Sequence, residues 1–223
     1  MNTEYKIETH LHTEESNHCS EVPAADMVKH YKEAGYTTVI VTPHYSRAYL
    51  STITSDWDIR IDYLLVGYDK AKKIGEQIGL NILLGLEITL VENKHDYLIY
   101  GMTEEFLRTN TSLYDLSVKE LVKLCEVNDF LLVQAHPFRK GQEPADIKYK
   151  MPIEVFNGRH VLDPQNGTAQ KYAEFYDLIG ISGTDFHDFQ DHKGGIVTNT
   201  EIKTIEDFKE AVRNREFKLI ISN

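Results

Sequence analysis

Five of the ten histidines in this chain stand where short apolar runs end. His10 and His12 finish a run that starts at Tyr5, and His44 follows Val39-Ile40-Val41-Thr42-Pro43. His136 comes directly after the run over 130–135, and His187 after Gly180-Ile181-Ser182-Gly183-Thr184-Asp185. Two carboxylates hold comparable places: Glu87 near the end of Ile82-Leu83-Leu84-Gly85-Leu86, and Asp185 at the end of its own run. Alternate residues of a strand share a face, so His10 and His12 should point the same way, roughly 7 Å apart. That separation lets two imidazoles clasp one cation at about 2.0–2.1 Å each. Any one of these histidines alone reads as a satisfied polar residue near a strand end. Five of them, with two carboxylates at corresponding places, point to a multinuclear metal site. Imidazole combined with carboxylate suits Zn, Fe or Mn, whereas Mg or Ca favours oxygen donors.

Such residues meet only if the elements between them bring them together. Brief runs rich in Val, Ile, Phe and Tyr predict strands over 5–10, 37–42, 81–88, 97–101, 130–135, 153–156, 178–182 and 217–221. Helical patterning predicts helices over 24–34, 59–78, 117–127, 165–177 and 205–214. The first stops at Gly35, the second at Gly79, and the third opens on Ser117 with Glu120 three residues on, a capping box. Strand and helix alternating along most of a chain argue for α/β with a largely parallel sheet, either open or closed into a barrel. Parallel strands put their C-terminal ends on one rim, where chain-distant residues converge. No glycine-rich phosphate loop follows the first strand, which weakens a nucleotide-binding reading. No repeat or linker is visible, so residues 1–223 are expected to form one domain. Segment 139–151, polar and broken by Pro144, reads as a surface loop beside the site.

Composition removes several classes of function. Twenty-four Lys and Arg against 35 Asp and Glu give a net charge of −11, so stable duplex nucleic-acid binding is not expected. Unbroken apolar runs such as 130–133 reach four residues, against the ~20 that a membrane helix needs. The first eight residues lack a basic region followed by an apolar stretch, so no signal peptide is expected. Two cysteines, Cys19 and Cys125, cannot make a disulfide framework. A cytoplasmic protein is the expectation; oligomeric state is not legible.

Residues 8–21, beginning Glu8-Thr9-His10-Leu11-His12-Thr13 and running through His18, resemble the first motif of the PHP (polymerase and histidinol phosphatase) domain. The resemblance continues at Thr42-Pro43-His44, Gly85-Leu86-Glu87-Ile88-Thr89, Ala135-His136-Pro137 and Gly183-Thr184-Asp185-Phe186-His187, in the family's order. It implies a distorted seven-stranded (β/α) barrel holding two or three divalent transition-metal ions (Zn, Mn or Fe) and hydrolysing phosphate esters. Carried over, His10, His12, Glu87 and Asp185 would hold a first metal. Glu87 would bridge to a second, with His136, and His18, His44 and His187 would hold a third. Many relatives have a histidine at or after the end of the strand that follows the glutamate, and this sequence has none there. His95 or Asp96, at that strand's start, is the available substitute.

Arg139, three residues past His136, would face the same rim and fork two hydrogen bonds to a phosphate; Arg159 is a weaker second candidate. Cys19 could be a soft ligand, although a small buried thiol is the plainer reading. His30, His160 and His192 match no motif and read as solvated surface. Tyr45, Tyr49 and Trp57 lie near the segment after His44, as substrate contacts or as packing. The function implied is a metal-dependent phosphoesterase acting on a small phosphorylated substrate. Alternatives are a histidinol-phosphate phosphatase, a phosphodiesterase on short oligonucleotides, and a non-catalytic metal-binding PHP module.

Overall fold

Each predicted strand forms, trimmed or extended by a residue or two, because short β-branched and aromatic runs fit a buried pleated surface. The computed structural model describes residues 3–16, 19–160 and 165–222. Its strands are β1 (Tyr5–Leu11), β2 (Thr38–Val41), β3 (His44–Ser46), β4 (Asn81–Thr89), β5 (Asp96–Tyr100), β6 (Leu131–Gln134), β7 (Ile153–Asn157), β8 (Gly180–Gly183), β9 (Ile196–Thr198) and β10 (Lys218–Leu219). Its helices are α1 (Ala24–Glu33), α2 (Arg47–Leu50), α3 (Trp57–Ile78), α4 (Glu104–Thr109), α5 (Val118–Val127), α6 (Gln165–Tyr176) and α7 (Ile205–Arg213). The Ser117–Glu120 capping box opens α5 as predicted. Helix α3 starts two residues early because Asp56 accepts a hydrogen bond from Ile59 N and so caps it. Elements β3, β9, α2 and α4 escaped the sequence pattern. They span three to six residues, too few to show a period.

The sheet runs β10-β9-β1-β2-β4-β5-β6-β7-β8, with β3 also paired to β4. Past the end of β8, Phe186 bridges back to Leu11 in parallel, and His12 N donates to Phe186 O at 3.0 Å. Strands β1, β2, β4, β5, β6, β7 and β8 therefore make a nearly closed ring, the distorted seven-stranded barrel. β3, β9 and β10 are short additions to it.

Within the ring one strand departs from the parallel pattern. β5 runs antiparallel to both β4 and β6, with Thr89 opposite Asp96 and Gly85 opposite Tyr100. Its first residue, not its last, thus lies on the rim where β4 ends. At the other end of the ring, Ile7, Ile40, Leu98, Tyr100, Val133 and Ile181 pack together, with Phe208 of α7 against them. Each of these side chains is fully or almost fully buried, and burial of that kind contributes about 1.5–3 kcal/mol apiece. The apolar plug leaves the opposite rim free to carry polar residues. Among the described residues no helix is long and apolar enough to cross a membrane.

Candidate metal centre

Strand β1 delivers His10, and His12 lies one residue beyond its end. The two rings lie closer than the expected 7 Å, with centroids 5.1 Å apart and Nε2 atoms 3.2 Å apart. The pairing of β1 with β2 slips register between Glu8 and Leu11, beside the two rings, which meet edge to face. Glu87 from β4 and Asp185 from the turn after β8 complete a tight group. His10 Nε2 is 3.4 Å from Glu87 Oε1 and 3.6 Å from Asp185 Oδ1. His12 Nε2 is 3.4 Å from Glu87 Oε2 and 3.3 Å from Asp185 Oδ1. Four donors at 2.0–2.1 Å around one tetrahedral ion would be separated by about 3.3–3.4 Å. His10, His12 and Asp185 come close to that spacing, and His10, Glu87 and His136 form a second such trio, so the residues fit divalent cations by spacing as well as by donor type.

His136 extends this group from the loop after β6, its Nε2 3.2 Å from Glu87 Oε1. Of the two residues that could stand in for the missing histidine, Asp96 is the one beside His136. Because β5 is reversed, Asp96 reaches the rim, with Oδ2 4.0 Å from His136 Nε2. Thr89 Oγ1 and Gln142 Nε2 each donate to its carboxylate at 2.6 Å. Asp96 is buried and His95 is half-exposed. Glu87 stands at the centre, Oε1 facing His10 and His136, and Oε2 facing His12 and His44. His44 arrives there because β3 pairs with β4 and places it directly opposite Glu87, with Nδ1 2.5 Å from Oε2.

Two buried carboxylates that the sequence reading passed over hold the group in shape. Glu8 accepts from the backbone amides of Thr9, His10 and Thr184, each at 2.9 Å, and from the Thr184 hydroxyl. Glu154 accepts the His10 Nδ1–H at 3.0 Å, which leaves Nε2 to face the site. Its other oxygen accepts from the backbone amide of His136 at 3.0 Å and from Asn157 Nδ2 at 2.9 Å. That same Asn157 nitrogen reaches Asp185 Oδ2 at 3.1 Å. A carboxylate inside the apolar run Ile153-Glu154-Val155-Phe156 was the available signal. Gly183 lets these groups close up, since a Cβ there would lie 2.6 Å from His10 Cβ and 2.7 Å from Glu154 Oε1. His136 and Asp185 both have positive φ, 26° and 54°, a strained backbone that such packing enforces.

Outside this inner group lies a second, more open one. The rings of His44 and His187 sit 4.1 and 4.5 Å from that of His12. His187 Nδ1 donates to Asp185 O at 2.8 Å, which turns Nε2 outward to Cys19 Sγ at 3.1 Å. Cys19 is exposed rather than buried as the plainer reading had it, because it lines a cavity open to water together with His44. His18 falls outside the described residues. One ligand atom each from His12, His44 and His187 lie within 4.8 Å of one another, as do those of His10, Glu87 and His136, and those of His10, His12 and Asp185.

A cavity of about 740 Å³ covers both groups. Lys94, Arg139, Lys140 and Arg159 contribute to its wall, so this acidic chain presents positive charge at the site mouth. Arg139 is 46% exposed and only loosely paired, with NH1 3.8 Å from Asp96 Oδ2. Arg159 faces Asp191 at 3.5 Å. His160 is not solvated surface: it lines the cavity, its ring 6.4 Å from that of His136. His30 stacks on Phe186, and His192 is exposed. Tyr49 lines the cavity, whereas Tyr45 and Trp57 pack in the core with Tyr114 beside them.

Charge alternates through the cluster. Burial opposes the charged form of Glu87, but His44 and His10 outweigh it and hold its carboxyl well below the usual range. Burial likewise opposes ionisation of Asp185, and His10 and His12 pull it well down. In return, His10 overcomes burial through Glu154, Asp185 and Glu87 and sits well above the usual imidazole range. Burial and then the neighbouring His44 and His187 push His12 well below it. Such a concentration of buried anions calls for positive charge, which a divalent cation supplies.

Comparison with known proteins identifies the family and the fold. The family model for the PHP domain matches residues 8–221. No curated protein matches the sequence. Among solved structures, a two-domain protein of Bacteroides vulgatus ATCC 8482, containing a predicted PHP-like metal-dependent phosphoesterase, aligns over 99% of this chain with a TM-score of 0.69 and 19% identity. This chain spans 65% of that protein. PsfC from Pseudomonas syringae PB-5123 aligns over the whole chain and 93% of its own, with a TM-score of 0.69 and 18% identity. A more distant structure, reported for YwqE from Bacillus subtilis and CpsB from Streptococcus pneumoniae as metal-dependent tyrosine phosphatases, covers 94% of this chain and 87% of its own. Its TM-score is 0.51 and its identity 16%. At these identities the likeness is one of fold.

Proposed function

Since the chain belongs to the PHP domain family, we propose that it is a metal-dependent phosphoesterase that hydrolyses a small phosphorylated substrate. The observation that carries this reading is the inner group. Its histidine and carboxylate donors stand 3.2–3.6 Å apart, buried beneath a cavity with a cationic wall. We assign His10, His12, Glu87 and Asp185 to a first cation, Glu87 and His136 with Asp96 to a second, and His44 and His187 to a third. His18 belongs to the third by family resemblance alone. The donor set suits Zn, Mn or Fe. Bound there, such ions supply Lewis acidity to phosphoryl oxygens and lower the pKa of water.

The chain's own residues do the rest. Arg139, free to swing because its pairing is loose, forks hydrogen bonds to an incoming phosphate. Lys94, Lys140 and Arg159 raise the local concentration of anions at the mouth. Glu154 and Asn157 hold the His10 and Asp185 side chains and the His136 backbone in place, so the site is organised before substrate arrives. The family match from residue 8 to residue 221 supports reading 1–223 as one domain.

The test is turnover of a panel of phosphomonoesters and diesters, histidinol phosphate among them, by chelator-treated protein given Mn, Fe or Zn separately. Hydrolysis restored by at least one metal, and faster for small esters than for oligonucleotides, is the expected outcome. Metal uptake with no turnover of any ester would make the chain a metal-binding module instead.

A further inference from the structure

Outside the inner group, the cluster of Cys19, His44 and His187 joins a thiol to two imidazoles at the edge of the cavity. We infer that Cys19 is a thiolate ligand of the outer cation, with His44 and His187. This inference rests on the metal-centre reading above and adds to it a donor of different chemistry.

Three observations converge. Donors at about 2.3 Å (sulfur) and 2.0–2.1 Å (nitrogen) on one ion lie roughly 3–3.6 Å apart for bond angles of 90–110°. Cys19 Sγ and His187 Nε2, at 3.1 Å, fall inside that window. Second, His187 spends Nδ1 on the backbone carbonyl of Asp185, so Nε2 is the nitrogen left to coordinate, and it is the one that meets the sulfur. Third, the ring of His12, fully buried and stacked against both His44 and His187, keeps Nδ1 without a hydrogen-bond partner among the described residues. Ligand atoms of His12, His44 and His187 lie within 4.8 Å of one another, a spacing that one cation can bridge, and the Cys19 sulfur stands against one of the three.

The consequence is metal selection. A thiolate is a soft donor and favours Zn, Co or Fe over Mn and Mg. The inner group, with carboxylates and no sulfur, does not share that preference. Binding at the outer position also releases the thiol proton. Cys125 offers no such site: it is buried in α5 among Leu121 and its apolar neighbours.

The experiment is reconstitution of chelator-treated protein with cobalt(II), followed by absorption spectroscopy and metal analysis. A thiolate-to-cobalt charge-transfer band in the near-ultraviolet is expected in the unaltered protein and in Cys125→Ala. It should vanish in Cys19→Ser, which should keep the visible cobalt bands of the inner group and lose about one equivalent of metal. His18→Ala should retain the charge-transfer band. Zinc, but not magnesium, should protect Cys19 from alkylation. Visible cobalt bands without the charge-transfer band, or with one that survives in Cys19→Ser, would overturn the inference and leave the metal centre standing. Failure to bind cobalt at all would overturn both. Since Cys19 is exposed, the serine variant is expected to fold, and circular dichroism checks it.

Discussion

The two halves of the site are built in opposite ways. In the inner half, His10, Glu87 and Asp185 are almost wholly buried, and Glu8, Glu154 and Asn157 fix their backbones and rings. In the outer half, His44 is 24% exposed, Cys19 and Arg139 more so, and the fixing contacts are fewer. A carboxylate-oriented imidazole loses little freedom when it binds a cation, so the inner half is organised in advance. The outer half can adjust to what enters the cavity. The difference separates two tasks that a metal hydrolase must combine, holding charge firmly and meeting a substrate loosely.

Breaking the inner half at its centre should have the largest effect. Glu87 offers one oxygen to His10 and His136 and the other to His12 and His44. Glu87→Ala removes the anion common to the groups and leaves like charges facing one another. Activity should fall by at least about two orders of magnitude, the scale seen when a transition-state stabiliser is lost. Elemental analysis should show more metal lost than in His44→Ala. Full metal content with more than roughly a tenth of the activity would falsify the shared role of Glu87.

The same contrast decides what could be read from the sequence. His10, His12, Glu87, Asp185 and His187 were legible because strand periodicity and parallel direction put them on one rim. Asp96 was not secure, because β5 runs backward and strand direction leaves no mark in a single sequence. His44 was legible as a residue following an apolar run, but the reason it meets Glu87 is β3, three residues long and invisible to any periodic pattern. Glu8 opened a motif without a role of its own and Glu154 was hidden among apolar neighbours, their role visible only once Thr184 and His136 had come round the barrel to meet them. Arg139, Arg159 and His160 share one cavity wall, a fact of loop shape that no spacing encodes.

A milder break tests whether the inner half owes its stiffness to Glu154. Glu154→Ala leaves the His10 Nδ1–H and the His136 amide buried without their shared acceptor. Metal affinity should fall about 10–100-fold, the range for lost outer partners of liganding histidines. Glu154→Gln can accept one of those hydrogen bonds through its oxygen but presents an NH₂ to the other donors, so it should fall between alanine and glutamate. Titration with a competing chelator measures both. Affinity unchanged in both variants would mean that the ligands hold their positions without this carboxylate.

The outer half should give the smallest effect, and one of a different kind. Among the described residues Arg139 is paired only with Asp96, at a long 3.8 Å, and nearly half its side chain is exposed. Its removal therefore leaves no buried charge unpaired and should not disturb the fold or the bound metal. What it should disturb is capture of the substrate phosphate. An arginine that meets the phosphate equally in ground state and transition state lowers KM and leaves kcat alone. Arg139→Ala should thus raise KM about tenfold, or roughly 1.4 kcal/mol, near the lower end for a hydrogen bond to a charged group. Arg139→Lys should recover part of this, because an ammonium restores the charge but not the fork that grips two oxygens. A fall in kcat at constant KM would move Arg139 into the organised half, as a group that meets charge developing only during transfer. Unaltered kinetics would leave phosphate capture to the cations and to Lys94, Lys140 and Arg159.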